Sequence, residues 1–190
     1  MREGYWMIRT YEAGAVGEKT KYWVPGEKPS RSGRREKTEI RKQLQNEYSV
    51  QKQLARLINA NFGPGDLLMG LDYSQSGMDR LEAWAVSRGL DPYSPDETEK
   101  MEAIRQAADW ALGNLFRRVK RALDKEGLVL RYVAITSDMD GDTGEAVRVH
   151  HHLVVPKEAK AAFLSKWEDW GGVDWSSLSR QRDYTPVAEY

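Results

Sequence analysis

The chain holds three histidines, and they are contiguous: His150, His151 and His152. They sit inside Ala146-Val147-Arg148-Val149-His150-His151-His152-Leu153-Val154-Val155, a run rich in β-branched residues that predicts a strand. Alternate side chains of a strand point to opposite faces, so His150 and His152 share one face about 6.5–7 Å apart while His151 points the other way. Two imidazoles at that spacing can converge on one metal ion, and a well-ordered apolar strand would hold both rings in place before the metal arrives. A hard divalent ion needs an oxygen ligand as well. Candidates are Asp138, Asp140 and Asp142 in the neighbouring loop, and Asp72 at the end of another apolar run. The Asp-x-Asp-x-Asp pattern is not an EF-hand, because the twelfth position falls on Val149 where a bidentate Glu is required.

The elements that must position these residues are legible from periodicity. Leu128 to Thr136 predicts a second strand, joined to the histidine strand by the Asp- and Gly-rich segment 137–145, of hairpin length. Leu67 to Tyr73 predicts a buried strand. A helix from about Glu39 to Ala60 places Ile40, Leu44, Tyr48 and Ile58 at helical spacing and stops at Asn61-Phe62-Gly63-Pro64-Gly65. Residues 79–88 predict a short helix. Ser94 as cap, Pro95 at the first position and Glu97 closing a capping box open a long one that runs to Gly127 through Met101, Ile104, Ala108, Leu112, Leu115 and Val119. Lys157 to Trp170 predicts a further helix and Val173 to Trp175 an edge strand. Residues 1–33 read as an arm or hairpin, with 34–190 as the main domain. The irregular order of elements predicts an α+β fold, a central antiparallel sheet with flanking helices.

Composition narrows the class. Without cysteine, disulfides and thiolate metal sites are excluded. No apolar run of about 18 residues occurs and the start lacks a signal peptide, so the expectation is a cytoplasmic protein with no membrane partner. The 29 Lys and Arg balance 29 Asp and Glu, yet residues 1–60 hold 13 basic against 7 acidic residues and 61–190 hold 16 against 22. Arg31, Arg34, Arg35, Lys37, Arg41 and Lys42 form a basic stretch suited to phosphate contacts, with Arg117, Arg118, Lys120 and Arg121 as a second cluster. Tyr5, Trp6, Tyr22 and Trp23 are stacking candidates; Trp84, Trp110, Trp167, Trp170 and Trp175 read as packing residues.

Three segments, Ile58 to Leu67, Tyr132 to Thr136 and Arg148 to Val155, together resemble the rolling-circle replication-associated (Rep) proteins of bacterial plasmids and integrative elements, members of the HUH endonuclease superfamily. The resemblance spans about residues 34–190. It implies an enzyme that nicks and rejoins single-stranded or hairpin DNA through a covalent 5′-phosphotyrosine, alongside the host replication machinery. His150 and His152 match the paired metal ligands, with Mn²⁺ or Mg²⁺ as the ion. Val187-Ala188-Glu189-Tyr190 matches the pattern that carries the nucleophile, which makes Tyr190 the expected attacking residue and Tyr184 the alternative. Tyr73 lies where the family's first motif ends and is expected at the DNA. Many relatives carry a Glu before the histidine strand as third ligand; here that place is Ser137 followed by Asp138, so the role shifts to Asp138 or Asp140. Because the chain ends on Tyr190, a catalytic domain shortened at its C-terminus is expected. Within the superfamily a transposase or relaxase is the rival reading, and outside it a DNA-binding module without catalytic activity.

Overall fold

The computed structural model describes residues 4–26, 37–140, 145–178, 184 and 187, with the backbone alone at 25, 37–45 and 47. The chain divides into two compact units, 1–61 with 180–190, and 62–179. The first long helix therefore groups with the N-terminal hairpin.

In the first unit β1 (Gly4–Ala13) and β2 (Val16–Pro25) pair antiparallel in full register. Gly14 turns the chain with φ of +59°, and a two-residue loop with glycine at its first position matches the right-handed twist of the flanking strands. A side chain on Gly14 would also strike the Asn59 carbonyl near the end of α1 (Lys37–Asn61). Arg56 of α1 reaches the hairpin twice, donating to both carboxylate oxygens of Glu18 at 2.6 and 3.3 Å and lying over the Tyr11 ring.

The second unit is built on a four-stranded antiparallel sheet, order β4-β5-β3-β6, from β3 (Leu67–Asp72), β4 (Val133–Met139), β5 (Ala146–Val155) and β6 (Val173–Ser177). With α2 (Gln75–Ser87), α3 (Glu97–Asp124) and α4 (Lys160–Trp167) this is the α+β architecture of a central antiparallel sheet and flanking helices. Alternation sorts the two sheet faces. Leu67, Met69 and Leu71 of β3 and Val149, His151, Leu153 and Val155 of β5 are buried against Ala107, Ala111, Leu115 and Val119 of α3 and Phe163 and Trp167 of α4. Alanines along α3 let the helix approach the sheet closely. The other face carries Asp72, Arg148, His150, His152, Ile135 and Asp174, all half-buried or exposed.

Three local expectations are revised. Helix α3 begins two residues later than the capping pattern implies: Asp96 is the cap, accepting from Thr98 N at 2.8 Å, while Ser94 accepts from Asp96 N and donates to Glu99. Residues 128–132 stay outside β4, which instead extends to Met139 through a bulge between Ser137 and Met139. The short helix before α3 starts earlier, at Gln75, because Ser74 caps it by accepting from Gly77 N. Among the described residues no helix is long and apolar enough to cross a membrane.

Candidate functional site

Strand β5 is flanked by β4 and β3, so its histidines are held from both sides; His150 stands opposite Asp72 and Ser137, His151 opposite Leu71 and Thr136, and His152 opposite Gly70 and Ile135. On the more exposed face the two outer rings converge until His150 Nε2 and His152 Nε2 are 3.0 Å apart, ring planes nearly perpendicular at 88°. His150 Nδ1 lies 3.0 Å from the Arg148 carbonyl, which accepts only, so Nδ1 donates to it. Burial first, then His150, lowers the pKa of His152, while the Asp72 carboxylate acts in the opposite sense. The 3.0 Å separation is a hydrogen-bond distance, and it is also the spacing of two nitrogens held at right angles about 2.1 Å from one ion. The backbone carbonyl on the far nitrogen of His150 is the usual device that orients such a ligand.

His151 points the opposite way and is fully buried. Its environment fixes every proton. Asp109 can only accept, so Thr136 Oγ1 donates to it at 2.8 Å; Thr136 then accepts from His151 Nδ1 at 3.0 Å, and His151 Nε2 accepts from the Tyr73 hydroxyl at 2.7 Å. Burial, followed by the neighbouring His150 and His152, lowers the His151 pKa to about 3. Burial, with Asp109 behind it, pushes the Tyr73 phenol up. Tyr73, His151, Thr136 and Asp109 thus form one directed chain of hydrogen bonds from β3 through β5 and β4 to α3. It pins the histidine strand from below while the outer pair faces outward.

The remaining predicted residues are placed as follows. Tyr73 is not at a DNA-accessible surface: it is 3 % exposed and rings with Trp167 and Trp170 in the core, because it continues the inward-facing alternation of Leu67, Met69 and Leu71. Asp138 does not join the histidine pair. At the bulge it faces α3 and is held by Arg105, whose Nη2 donates to both its oxygens at 2.8 and 2.7 Å. Asp140 closes the β4–β5 hairpin, its backbone N donating to the Glu145 carbonyl at 2.8 Å. Among the described residues no third His, Asp or Glu clusters with His150 and His152. Tyr184 is fully buried. Tyr190, Arg31, Arg34, Arg35 and Asp142 lie outside the described residues, as do the side chains of Lys37, Arg41 and Lys42 on α1.

One residue escaped sequence reasoning. Arg148 lies two positions before His150 and so shares its face; its Nη1 donates to the Tyr73 carbonyl at 3.1 Å and its Nη2 to Gln75 Oε1 at 3.4 Å. The i−2 spacing on a strand was the available signal. A guanidinium anchored there sets a fixed positive charge beside the imidazoles, suited to an anionic oxygen. Gly70, opposite His152, adds no side chain beside that ring. Comparison of the chain with protein families, with characterised proteins and with solved structures finds no match in any of the three.

Proposed function

We propose that the chain is a metal-dependent single-stranded DNA nicking and joining endonuclease of the HUH type, which cuts origin DNA through a covalent 5′-phosphotyrosine to initiate rolling-circle replication. The observation that carries this reading is the convergence of His150 and His152, 3.0 Å apart, on the more exposed face of a central antiparallel strand. Support also comes from the order of the three resembling segments and from the α+β fold around them.

His150 and His152 would hold a divalent ion, and the imidazole donor set favours a first-row transition ion, Mn²⁺ over Mg²⁺. When bound, such an ion polarises the scissile phosphodiester. Arg148 neutralises and orients an anionic phosphate oxygen at the same face. Tyr190 is the assigned nucleophile: its phenolate oxygen bonds to phosphorus, the bond to the 3′-oxygen breaks, and that oxygen leaves as a 3′-hydroxyl after taking up a proton. The phosphotyrosine keeps the ester bond, so the reverse attack rejoins the strand without ATP.

A second reading, a DNA-binding module without cleavage, is favoured by one observation, the diversion of Asp138 to Arg105. Incubation with labelled single-stranded or hairpin DNA and Mn²⁺ separates the two. The nicking reading expects a covalent adduct that Tyr190→Phe abolishes and Tyr184→Phe retains; binding without adduct on every substrate selects the module.

A further inference from the structure

We propose that the groove between α3 and the turn after α4 binds a segment of single-stranded nucleic acid, with a base against Trp110 and backbone phosphates on Arg117 and Arg121. The groove has a volume of about 420 Å³ and is lined by Trp110, Asn114, Arg117, Arg118, Arg121 and Trp170. It lies on the helical side of the sheet, opposite the face that carries His150 and His152. The inference rests on the groove alone and is independent of whether the histidine pair cleaves DNA.

Residues 110, 114, 117, 118 and 121 recur along one flank of α3, away from the buried stripe of Ala107, Ala111, Leu115 and Val119. Three arginines lie within two turns, with Arg117 and Arg121 four residues apart, a like-charge spacing that weakens a helix unless the charge is answered. Among the described residues none of the three pairs with a carboxylate; the nearby Asp124 is taken by Lys120. Instead Arg117 and Arg118 are positioned by neutral groups. Arg117 Nη2 donates to Asn114 Oδ1 at 2.5 Å and its Nε to the Gly113 carbonyl, and Arg118 Nη2 donates to the Lys166 carbonyl at 3.1 Å. Arg118 Nε is buried and makes no hydrogen bond. Fixed, unneutralised guanidiniums of this kind match the bidentate geometry of phosphate.

Anions alone would not need the aromatic floor. Trp110 is backed by Trp84, ring centroids 5.2 Å apart and planes 25° from parallel, and meets the edge of Trp170 at 6.4 Å. So supported, the indole is still 37 % exposed. A rigid, half-exposed indole flanked by arginines is the pairing that single-strand binders use, where bases stack without sequence preference and cations follow the backbone. An acidic peptide would answer the arginines and leave the ring unused.

The test uses the whole chain. Ultraviolet irradiation with an eight-nucleotide strand carrying 5-bromodeoxyuridine, followed by mass-spectrometric mapping, is expected to place the adduct on Trp110 or Trp170. Fluorescence anisotropy with a labelled oligo-dT octamer is expected to show affinity at least tenfold weaker in the Arg117→Ala/Arg121→Ala double variant. The salt dependence should become shallower by about 1.4 in log–log slope, at about 0.7 per phosphate contact on a single strand. Both arginines are exposed, so the variant keeps the fold. Adducts confined to other residues with unchanged affinity in the double variant overturn the proposal. So does displacement of the octamer by inorganic phosphate, or by an acidic peptide, as readily as by unlabelled octamer.

Discussion

Acidification tests the buried histidine chain. His151 is neutral in the folded protein because burial, and secondarily His150 and His152, hold its pKa at about 3 against an ordinary 6.5. Below pH 6.5 the unfolded chain takes up a proton on this ring and the folded chain does not. The stabilisation from the neutral ring is therefore complete above pH 6.5 and is lost as pH falls toward 3. Each pH unit in that window removes about 1.4 kcal/mol from this group, so about 2 kcal/mol is lost between pH 6.5 and 5.0. That is a large share of the roughly 5–15 kcal/mol that stabilises a typical domain. The assay is urea unfolding followed by tryptophan fluorescence at pH 7.5, 6.5, 5.75 and 5.0 at constant ionic strength. His152, whose pKa is also lowered, pulls the same way from a more exposed position, so the comparison that isolates His151 is with His151→Gln. Glutamine keeps a donor and an acceptor but does not titrate. The variant should start less stable at pH 7.5 and fall less steeply, the two curves approaching by about 2 kcal/mol at pH 5.0. Parallel curves over this range would show that His151 titrates normally and would refute the directed chain.

Other perturbations probe the rest of the site. Tyr73→Phe leaves His151 Nε2 without its donor and should cost about 1–3 kcal/mol in urea unfolding while leaving DNA affinity unchanged, since the ring is in the core. Asp138→Asn should leave Mn²⁺ affinity, read by electron paramagnetic resonance, within about twofold of wild type, whereas His150→Ala should weaken it by about tenfold or more. Gly171→Ala would drive a Cβ into the Asp72 carbonyl and against Ser74 N, and should cost about 3 kcal/mol in chemical unfolding, felt where β3 hands over to α2.

The histidine strand was readable because a period of two assigns faces without tertiary knowledge: it separates His151 from His150 and His152, and the structure places them so. The long α3 helix and the β4–β5 hairpin were legible for the same reason, through sustained periodicity and a turn-rich connection. Asp138 was not, because one bulge between Ser137 and Met139 interrupts the register and no local pattern announced it. Tyr73 is buried because it continues the inward face of Leu67, Met69 and Leu71, a period of two that the sequence carried and that the resemblance to the family's first motif overrode. The partnership of Arg105 and Asp109 with β4 depends on how α3 crosses the sheet, contacts 27 and 33 residues apart in sequence that periodicity does not encode.

The central claim is that His150 and His152 form the metal centre of a DNA-nicking site. Its most direct test is the amount of nicked strand formed from single-stranded origin or hairpin DNA across a Mn²⁺ titration, for wild type, His150→Ala and His152→Ala. The account predicts Mn²⁺-dependent nicking by the wild type, abolished by chelator, and a loss of at least a hundredfold in each variant. Nicking that persists at wild-type levels in either variant would contradict it.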